Sequence, residues 1–471
     1  MKMNKFLFTY NKKSREKELY ISDKKINLKN PFNYEMGYTY SNDGEYIKVN
    51  VTETSVEIKN DLYSSHPVYL YEDDYNIIVS SLLVDIINNK NTNTSINSSD
   101  IYSYFAFTYL PNQDNTLYSN IRQLKYNTKL VFNEKFEEIH ENKNIFLKNN
   151  DNKLFDSLVK STVNKLKGLN NIDTSLCLTS GNDSIISLFL LKYLDMNFGT
   201  CTYGFSNSKD IIKSRDRHKL LNSNISREEV LFDNIKFTDK ELEKFSSITG
   251  GITSYSNIYL LYFIENMRNR GYKNLIFSDH FETTRKIITL KDIKENYTTP
   301  KEIVNKYFIN KDLYNKKEKS TLLTIKDPYQ FYLYERVSKG HFYKNLITSL
   351  YGMKKITLPF DFNFLQNNYS YIKKTGELTY NKILSKLGKD NAKVNVNHNF
   401  SINNKIFLLN HLDFFMNVLE LEKDSDISEF FNIKKLRNKL SSNTLSSEEE
   451  WFALRLLNFL VFKQINKLKL L

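Results

Sequence analysis

The sequence predicts an α/β protein with an antiparallel, β-rich amino-terminal domain followed by a doubly wound parallel sheet and a helical carboxy-terminal part. Its 471 residues exceed the length at which a single hydrophobic core stops growing. Hydrophobic residues make up 40% of the chain and aromatic residues 14%, which is typical of globular rather than disordered proteins. The spacing of apolar residues changes near residue 150. We therefore predict two domains, 1–150 and 151–471.

The amino-terminal domain is predicted from short runs of β-branched and aromatic residues separated by turn residues. These runs cover residues 5–10, 46–51, 55–59, 68–71, 76–80 and 129–132. Short strands with turns between them favour antiparallel pairing. The polar stretch 148–153 has little apolar content and is predicted to be the linker between the domains.

From residue 154 onward, apolar strands alternate with helical patterns. The predicted strands are 174–178, 199–204, 228–232 and 274–278, and the predicted helices are 154–166, 184–194, 211–221 and 256–270. Strands separated by helices favour a parallel sheet, whose ligands bind at the carboxyl ends of the strands. Beyond about residue 298 the pattern is mainly helical, with a loop at 358–361.

The charge balance and the number of cysteines exclude several classes of protein. Lys and Arg number 67 against 54 Asp and Glu, a net charge of +13, but the lysines are spread along the chain. We therefore predict no nucleic-acid partner and expect the basic surface to favour anionic ligands. Cys177 and Cys201 are the only cysteines, which excludes a disulfide framework and a CxxC metal site. No apolar run reaches the roughly 18 residues that span a bilayer, so a soluble, cytoplasmic protein is expected.

The stretch 176–185, LCLTSGNDSI, is the most informative part of the sequence. A buried strand gives way to small polar residues and then to a helix, which is an arrangement that suits an anion. Hydroxyl groups, a glycine that lets backbone N–H groups approach closely, and a helix amino terminus all favour negative charge. Asp183 would repel phosphate unless a hard cation lies between them, so it predicts Mg²⁺. The alternative is an ordinary helix cap, since Ser, Asn and Asp all cap well.

This stretch resembles the pyrophosphate loop Ser-Gly-Gly-x-Asp-Ser of the ATP pyrophosphatase (PP-loop) superfamily, which includes the asparagine synthetases. The resemblance implies that ATP is bound by Thr179, Ser180, Gly181, Asn182, Asp183 and Ser184. Two residues depart from the family pattern. Thr179 replaces the first Ser conservatively, and Ser180 replaces the first Gly, which could crowd the loop.

Two further strand ends carry the same resemblance. Residues 201–205, followed by Lys209 and Asp210, resemble the family's strand and acidic position beside the adenine pocket, which implies a nucleotide contact at Tyr203. The strand ending at Ser278 falls where the family carries a second acidic loop, Ser-Gly-x-Gly-x-Asp-Glu. That pattern implies Ser278 as a nucleotide contact and Glu282 as a partner of Asp183 in binding the metal. The glycines are missing, so Asp279 stays open as the alternative carboxylate, and a solvated acidic turn is a further alternative for it.

The amino-terminal half resembles the family's glutamine amidotransferase domain, over residues 61–71, 77–81, 104–110 and 116–124. The resemblance implies an Ntn-hydrolase-like fold. Glutamine hydrolysis in that family requires an amino-terminal cysteine whose own α-amine serves as base. Position 2 is Lys2 and no cysteine precedes Cys177, so we expect a degenerate domain kept as a scaffold. The amine must then come from the substrate or a partner, as in the similar β-lactam synthetases and lasso-peptide cyclases.

The carboxy-terminal part carries weaker signals. Residues 334–337 ahead of 358–361 resemble the family's Arg…Pro-Phe-Leu-Asp stretch, which implies Arg336 on the acceptor side of the pocket. A helix ion pair for Arg336 and a simple turn at Pro359 are the alternatives. A lysine is needed to stabilise the reacting phosphate. Lys382, Lys386 and Lys393 are candidates, and Lys393 is the one assigned to catalysis.

The sequence therefore predicts an ATP- and Mg²⁺-dependent, AMP-forming amide synthetase without glutaminase activity. Its partners would be a carboxylate substrate and an amine acceptor, with a peptide and an enzyme of the same specialised pathway among the candidates. The alternative is a non-catalytic scaffold or binding protein derived from an asparagine synthetase.

Overall fold

The structure is a computed structural model of the whole chain. It describes residues 3–40, 43–107, 109–111, 114–141, 154–221, 224–279, 281, 288–296, 298–340, 342–359, 361–375, 379–387 and 403–470. The predicted linker, 148–153, lies outside these ranges, so the predicted domain boundary stays a prediction. Position 2, where the glutaminase cysteine would be expected, also lies outside them.

The amino-terminal half consists of two antiparallel sheets packed face to face. One sheet has six strands in the order β3-β2-β1-β8-β7-β9, and the other has five in the order β11-β10-β6-β5-β4. Their bounds are β1 Phe6–Asn11, β2 Lys17–Ile21, β3 Lys24–Ile26, β4 Phe32–Tyr40, β5 Asp43–Val51, β6 Val56–Asn60, β7 Tyr69–Glu72, β8 Asn76–Ser80, β9 Ile121–Gln123, β10 Thr128–Phe132 and β11 Phe136–His140. The ring of Phe8 on β1 lies 4.5 Å from that of Phe132 on β10, which joins the two sheets through alternate side chains.

The six strands predicted in this half are confirmed, as β1, β5, β6, β7, β8 and β10. Five strands and two short helices, α1 (Leu83–Ile87) and α2 (Ile101–Phe107), escaped prediction. Strands β2 and β3 lack a regular apolar alternation, because they lie at one edge of their sheet, where only Leu19 of the two strands is buried.

The second half is built on a five-stranded parallel sheet in the order β14-β13-β12-β15-β16. Its strands are β12 Thr174–Cys177, β13 Gly199–Gly204, β14 Arg227–Leu231, β15 Asn274–Phe277 and β16 Lys354–Thr357. The helices of its first part are α3 Leu154–Leu166, α4 Asn182–Tyr193, α5 Lys209–His218, α6 Asp239–Thr249 and α7 Ile258–Asn269. The strand order reverses between β12 and β15. A parallel sheet binds its ligands in the crevice at such a switch point.

The predicted parallel sheet is confirmed, with three corrections. A fifth strand, β16, comes from the region predicted to be mainly helical, and helix α6 was not predicted. Helix α4 also begins at Asn182, two residues before its predicted start. The short Lys-Lys-Ile-Thr segment of β16 carries too few apolar residues to be recognised from its pattern.

The remaining part is helical, as predicted. Its helices are α8 Leu290–Asn296, α9 Lys301–Tyr307, α10 Lys311–Thr324, α11 Pro328–Phe331, a π-helix Tyr332–Gly340, α12 Phe342–Leu350, α13 Phe362–Thr375, α14 Thr379–Leu387, α15 Asn404–Asn410, α16 Leu412–Glu422, α17 Ile433–Ser441 and α18 Ser447–Ile465. Among the described helices, none combines the length and the apolar character that crossing a bilayer requires.

The two halves meet along a buried, polar seam. The His66 ring, in the amino-terminal half, lies 2.8 Å from the Ser349 hydroxyl on α12 and 3.3 Å from the Ser65 hydroxyl. Burial lowers the pKa of His66 to about 4, an effect that the nearby Glu45 opposes and Lys355 reinforces. His66 is therefore neutral at physiological pH and acts as a hydrogen-bonding link between the halves.

We expect acid to loosen this seam. Between pH 6.5 and about 4 the unfolded chain binds a proton at His66 that the folded protein does not, so stability falls as the pH is lowered through this window. The loss attributable to His66 is at most about 3 kcal/mol. The urea midpoint should decrease less between pH 7 and pH 4.5 in His66→Gln than in the wild type. Equal pH dependence in the two proteins would contradict this assignment.

Candidate functional site

The loop predicted to bind an anion lies at the carboxyl end of β12, the central strand of the parallel sheet. Gly181, with φ −70° and ψ 148°, precedes helix α4, and no side chain caps that helix. Asp183 is thus the second residue of the helix, so the interpretation of Asp183 as its cap is wrong. The nearest atom to an added Cβ at Gly181 is the Thr179 hydroxyl, 3.4 Å away. Gly181 therefore keeps this side of the loop open without any need for a left-handed backbone.

Two hydroxyl groups brace the loop from within. The Ser184 hydroxyl lies 2.9 Å from the Gly181 carbonyl and 3.0 Å from the Thr179 carbonyl, and it accepts the Thr179 N–H at 3.2 Å. The Thr179 hydroxyl accepts the Gly181 N–H at 3.2 Å. Thr179 and Ser184 therefore use their hydroxyls to shape the loop.

Arg217, on α5, holds the loop from the protein side. Its guanidinium donates to the carbonyls of Thr179 and Gly181, the latter at 2.8 Å, and lies 3.3 Å from the Ser184 hydroxyl. Only 4% of Arg217 is exposed. One guanidinium nitrogen, Nη1, makes all three contacts, so its N–H groups hold both carbonyls at once. The loop carbonyls are thereby turned towards the protein interior.

Ser180, the departure from the family pattern, has a specific partner. Its N–H and its hydroxyl donate to the same oxygen of Asp210, at 2.7 and 2.6 Å. We call such a pair of hydrogen bonds from one serine to one aspartate a clasp. A second clasp lies one strand further out, where Ser206 donates to the Asp233 carboxylate through its N–H at 3.0 Å and its hydroxyl at 2.8 Å. The Ser180 side chain thus ties its loop to the start of α5 rather than crowding it.

Tyr203 and Ser278, both predicted to contact the nucleotide, flank the loop at the carboxyl ends of β13 and β15. The Tyr203 ring packs 4.4 Å from the Phe263 ring, and burial raises the Tyr203 pKa well above its ordinary value. The Ser278 hydroxyl donates to the Ser187 hydroxyl on α4 at 2.8 Å. The sheet brings both residues to the edge that carries the loop.

Asp279, next to Ser278, is neutralised by two lysines. Lys344 on α12 donates to one carboxylate oxygen at 2.7 Å, and Lys355 on β16 lies 3.4 Å from the other. Burial would lower the pKa of Lys344, but the Asp279 carboxylate outweighs it and raises that pKa. A carboxylate held by two ammonium groups is a poor metal ligand, and a solvated acidic turn is excluded for Asp279.

Several other predicted residues cannot be assigned a place in the site. Glu282, Lys393 and the side chain of Arg336 lie outside the described part of the structure, although the Arg336 backbone belongs to the π-helix. Lys382 lies 4.6 Å over the Tyr371 ring, and Lys386 is exposed. Within the ranges that the structure describes, no three His, Cys, Asp or Glu side chains come together as a metal-binding group.

The loop at 358–361 follows β16 and has a structural role. Asp361 accepts the Phe364 N–H at 2.9 Å at the start of α13, and the Asp361 N–H donates to the Pro359 carbonyl at 3.1 Å. These contacts agree with the simpler interpretation of Pro359 as a turn residue.

The two cysteines lie side by side beneath the loop. Cys177 on β12 and Cys201 on β13 are buried and free, with their sulfur atoms 3.6 Å apart. Burial raises the Cys177 pKa well above its ordinary value, so its thiolate is disfavoured. Cys177 is poorly suited to act as a nucleophile.

Arg217 and Lys344 were not selected from the sequence. Arg217 lies on the same buried face of α5 as Ile211 and Ser214, so a charged residue on a core-facing stripe was the signal available. Lys344 belongs to no recognisable sequence motif, and only the fold brings it close to Asp279.

Arg217→Lys tests how the loop is held. Lysine keeps the charge, but its side chain is one atom shorter, so its ammonium group does not reach the position of Nη1 between the two carbonyls. We expect unfolding free energy to fall by about 2 kcal/mol, as for a buried carbonyl that loses its donor. Arg215→Lys is the control, because Arg215 lies on the exposed side of the same helix and pairs with Glu229 at 2.7 Å. Equal midpoints for the two variants in a denaturant titration would contradict the role of Arg217.

Comparison with known proteins gives little similarity. No protein-family model and no curated protein matches the chain. One solved structure with weak similarity is an allosteric regulatory enzyme of purine biosynthesis, with 12% identity, a TM-score of 0.14, and coverage of 53% of this chain and 42% of that chain. Another is the glutamine phosphoribosylpyrophosphate amidotransferase from B. subtilis in complex with ADP and GMP, with 10% identity, a TM-score of 0.13, and coverage of 52% and 50%. The chain thus matches half or less of each protein's length, and similarity this low does not establish a shared fold.

Proposed function

We propose that this protein is an ATP-dependent, AMP-forming amide synthetase related to the asparagine synthetases, acting in specialised biosynthesis. One observation carries the proposal: the loop 179–184 lies at the carboxyl end of the central strand of a parallel sheet, at the switch point where such sheets bind ligands. Arg217 draws the loop carbonyls inward. Helix α4 then begins without a side-chain cap, which favours an anion there.

The donor set around the loop is compatible with Mg²⁺. In nucleotide sites this ion is commonly held by one or two carboxylates together with phosphate oxygens and water. Asp183, half-buried in the first turn of α4, offers one such carboxylate, and Glu282 stays the predicted second. When bound, Mg²⁺ would neutralise phosphate charge and make pyrophosphate a better leaving group.

The proposed reaction has two steps. An oxygen of the substrate carboxylate attacks the α-phosphorus of ATP, and the bond to the bridging oxygen breaks to release pyrophosphate. An amine then attacks the acyl carbon, AMP leaves with the bonding electrons, and the amine loses a proton. The loop 179–184 would bind the pyrophosphate, and Lys344 places a cation on the β15 side of the same edge. Positioning and charge neutralisation would supply the rate enhancement.

The amino-terminal half is proposed to be an Ntn-hydrolase-like domain without glutaminase activity. Its two antiparallel sheets packed face to face are compatible with that fold. Both cysteines of the sequence belong to the parallel sheet, where they are buried. The amine would therefore come from the substrate or from a partner enzyme.

A second candidate function is a non-catalytic scaffold that has kept the fold. It is favoured by the Ser180–Asp210 clasp, in which two donors of the loop already bind a carboxylate. Calorimetry with ATP and Mg²⁺ separates the two functions, because a decayed site would show no heat of binding.

Product analysis tests the chemistry directly. With a competent carboxylate and amine, we expect AMP and pyrophosphate in equal amounts, and we expect added glutamine neither to change the rate nor to yield glutamate. Formation of ADP and phosphate would refute adenylylation, and glutamate above background would refute the loss of glutaminase activity.

Asp183→Asn tests the metal site. The change keeps side-chain size but removes the charge proposed to hold Mg²⁺, so turnover and affinity for ATP with Mg²⁺ should fall at least 100-fold, since metal assistance is commonly worth several kcal/mol. Stability should change by about 1 kcal/mol or less, the value of a carboxylate near a helix amino terminus. Asp195→Asn, an exposed position just past the other end of α4, is the control. Unchanged nucleotide affinity in Asp183→Asn would reject the metal role.

A further inference from the structure

Four side chains of alternating charge cross the seam between the two halves. Glu45 on β5 lies 3.7 Å from Lys355 on β16, Lys355 lies 3.4 Å from Asp279, and Asp279 accepts a hydrogen bond from Lys344 at 2.7 Å. We call this series the charge chain. It starts in the amino-terminal half and ends at the carboxyl edge of the parallel sheet.

The described polar contacts of the Glu45 side chain point into the other half of the protein. One oxygen accepts the Asn345 side-chain N–H at 3.0 Å, and the other accepts the Thr357 backbone N–H at 3.2 Å. Burial opposes ionisation of Glu45, but Lys355 and Lys165 outweigh it and hold its pKa below the ordinary value. A buried carboxylate is costly unless its charge is balanced. Glu45 is therefore an ionised group of the amino-terminal sheet whose partners belong to the parallel-sheet half.

The charge chain runs from the interior to an accessible end. The side chains of Glu45 and Lys355 are only 6% and 3% exposed, whereas those of Asp279 and Lys344 are 19% and 22% exposed. Lys355 donates to the Thr357 hydroxyl at 2.8 Å and is shared between the two carboxylates at 3.7 and 3.4 Å, so neither carboxylate holds it completely. If Glu45 lost its charge, Lys355 would turn fully to Asp279 and would compete there with Lys344.

We propose that Glu45 is a positioning residue for the candidate site: by sharing Lys355 it leaves Asp279 free to hold Lys344 at the edge beside the loop 179–184. The amino-terminal half would then contribute to the site by balancing its charge. The purpose assigned to Lys344 rests on the proposed function, but the link from Glu45 to Lys344 does not.

Amine labelling of the full chain without nucleotide tests that link. Only the uncharged amine reacts with an acylating reagent, so pairing with Asp279 should protect Lys344. In Glu45→Gln we expect Lys344 to be acylated about tenfold faster for each unit by which its pKa falls, as followed by peptide mass spectrometry. Glu35→Gln is the matched control on the neighbouring strand β4, because Glu35 pairs with Lys48 near the surface at 3.6 Å.

A charge-balancing variant separates positioning from a purely structural effect. In Glu45→Gln/Lys355→Met the competing lysine is absent, so protection of Lys344 should return to the wild-type level. Lys355→Met alone should protect Lys344 at least as well as the wild type, and it serves if Glu45→Gln does not fold. The inference is overturned if folded Glu45→Gln labels like the wild type, if the double variant stays as reactive as Glu45→Gln, or if Lys355→Met alone exposes Lys344. Failure of ATP to bind the wild type would overturn the proposed function, while the labelling pattern would still decide the role of Glu45.

Discussion

Buried charge has to be balanced, and this constraint determines how the two halves of the chain meet. Lys165, only 1% exposed at the end of α3, donates to the carbonyls of Thr357 and Leu358, at 2.6 and 3.0 Å, where β16 ends. The Tyr38 hydroxyl, from the amino-terminal sheet, donates to the Lys165 carbonyl. Glu45 supplies the negative charge nearby. Lys165 and these carbonyls belong to the same half, so the contacts that cross between the halves include the hydrogen bond of Tyr38 and the ion pair of Glu45 with Lys355. Removing the charge of Glu45 alone would leave buried cations unbalanced, at a cost of about 3–5 kcal/mol.

The same constraint acts around the loop. Arg217 is as deeply buried as the lysines of the seam, and its partners are backbone carbonyls, which accept its hydrogen bonds without adding negative charge. The carboxyl edge of the parallel sheet is thus supported from two sides, by Arg217 under β12 and by the charge chain beside β15. Arg217 brings a net positive charge, whereas the two carboxylates and two ammonium groups of the charge chain balance each other. The charge of Arg217 agrees with a site for an anionic ligand, which is the class that the overall basic charge of the protein also favours.

Most elements that the sequence predicted either alternate in burial or are short apolar runs that are buried throughout, as β12 and β15 are, although β4 was missed despite its alternation. Strand β1 alternates buried and partly exposed residues, and α3 shows an apolar stripe, so both were found at or near their observed bounds. Strand β2 and the four-residue β16 have no such pattern. In the site, the position of the loop followed from the order strand, small polar residues, helix. The partners of Asp279 did not, because Lys344 and Lys355 are distant in sequence and only the packing of α12 and β16 brings them there. Lys165 and Arg217 did carry a signal, a cation on a core-facing stripe, but the sequence does not say which group such a cation meets.

The paired clasps at the carboxyl edge have a mechanical consequence. Ser180 after β12 is bonded to Asp210 after β13, and Ser206 after β13 is bonded to Asp233 after β14. Side-chain hydrogen bonds thus connect the three loops in series, in addition to the backbone hydrogen bonds that connect their strands in the sheet. Opening of the loop after β13 has to break both pairs of hydrogen bonds, whereas opening of the loop after β12 or β14 breaks only one. The loop after β13 is therefore expected to be the last of the three to open in native-state hydrogen exchange.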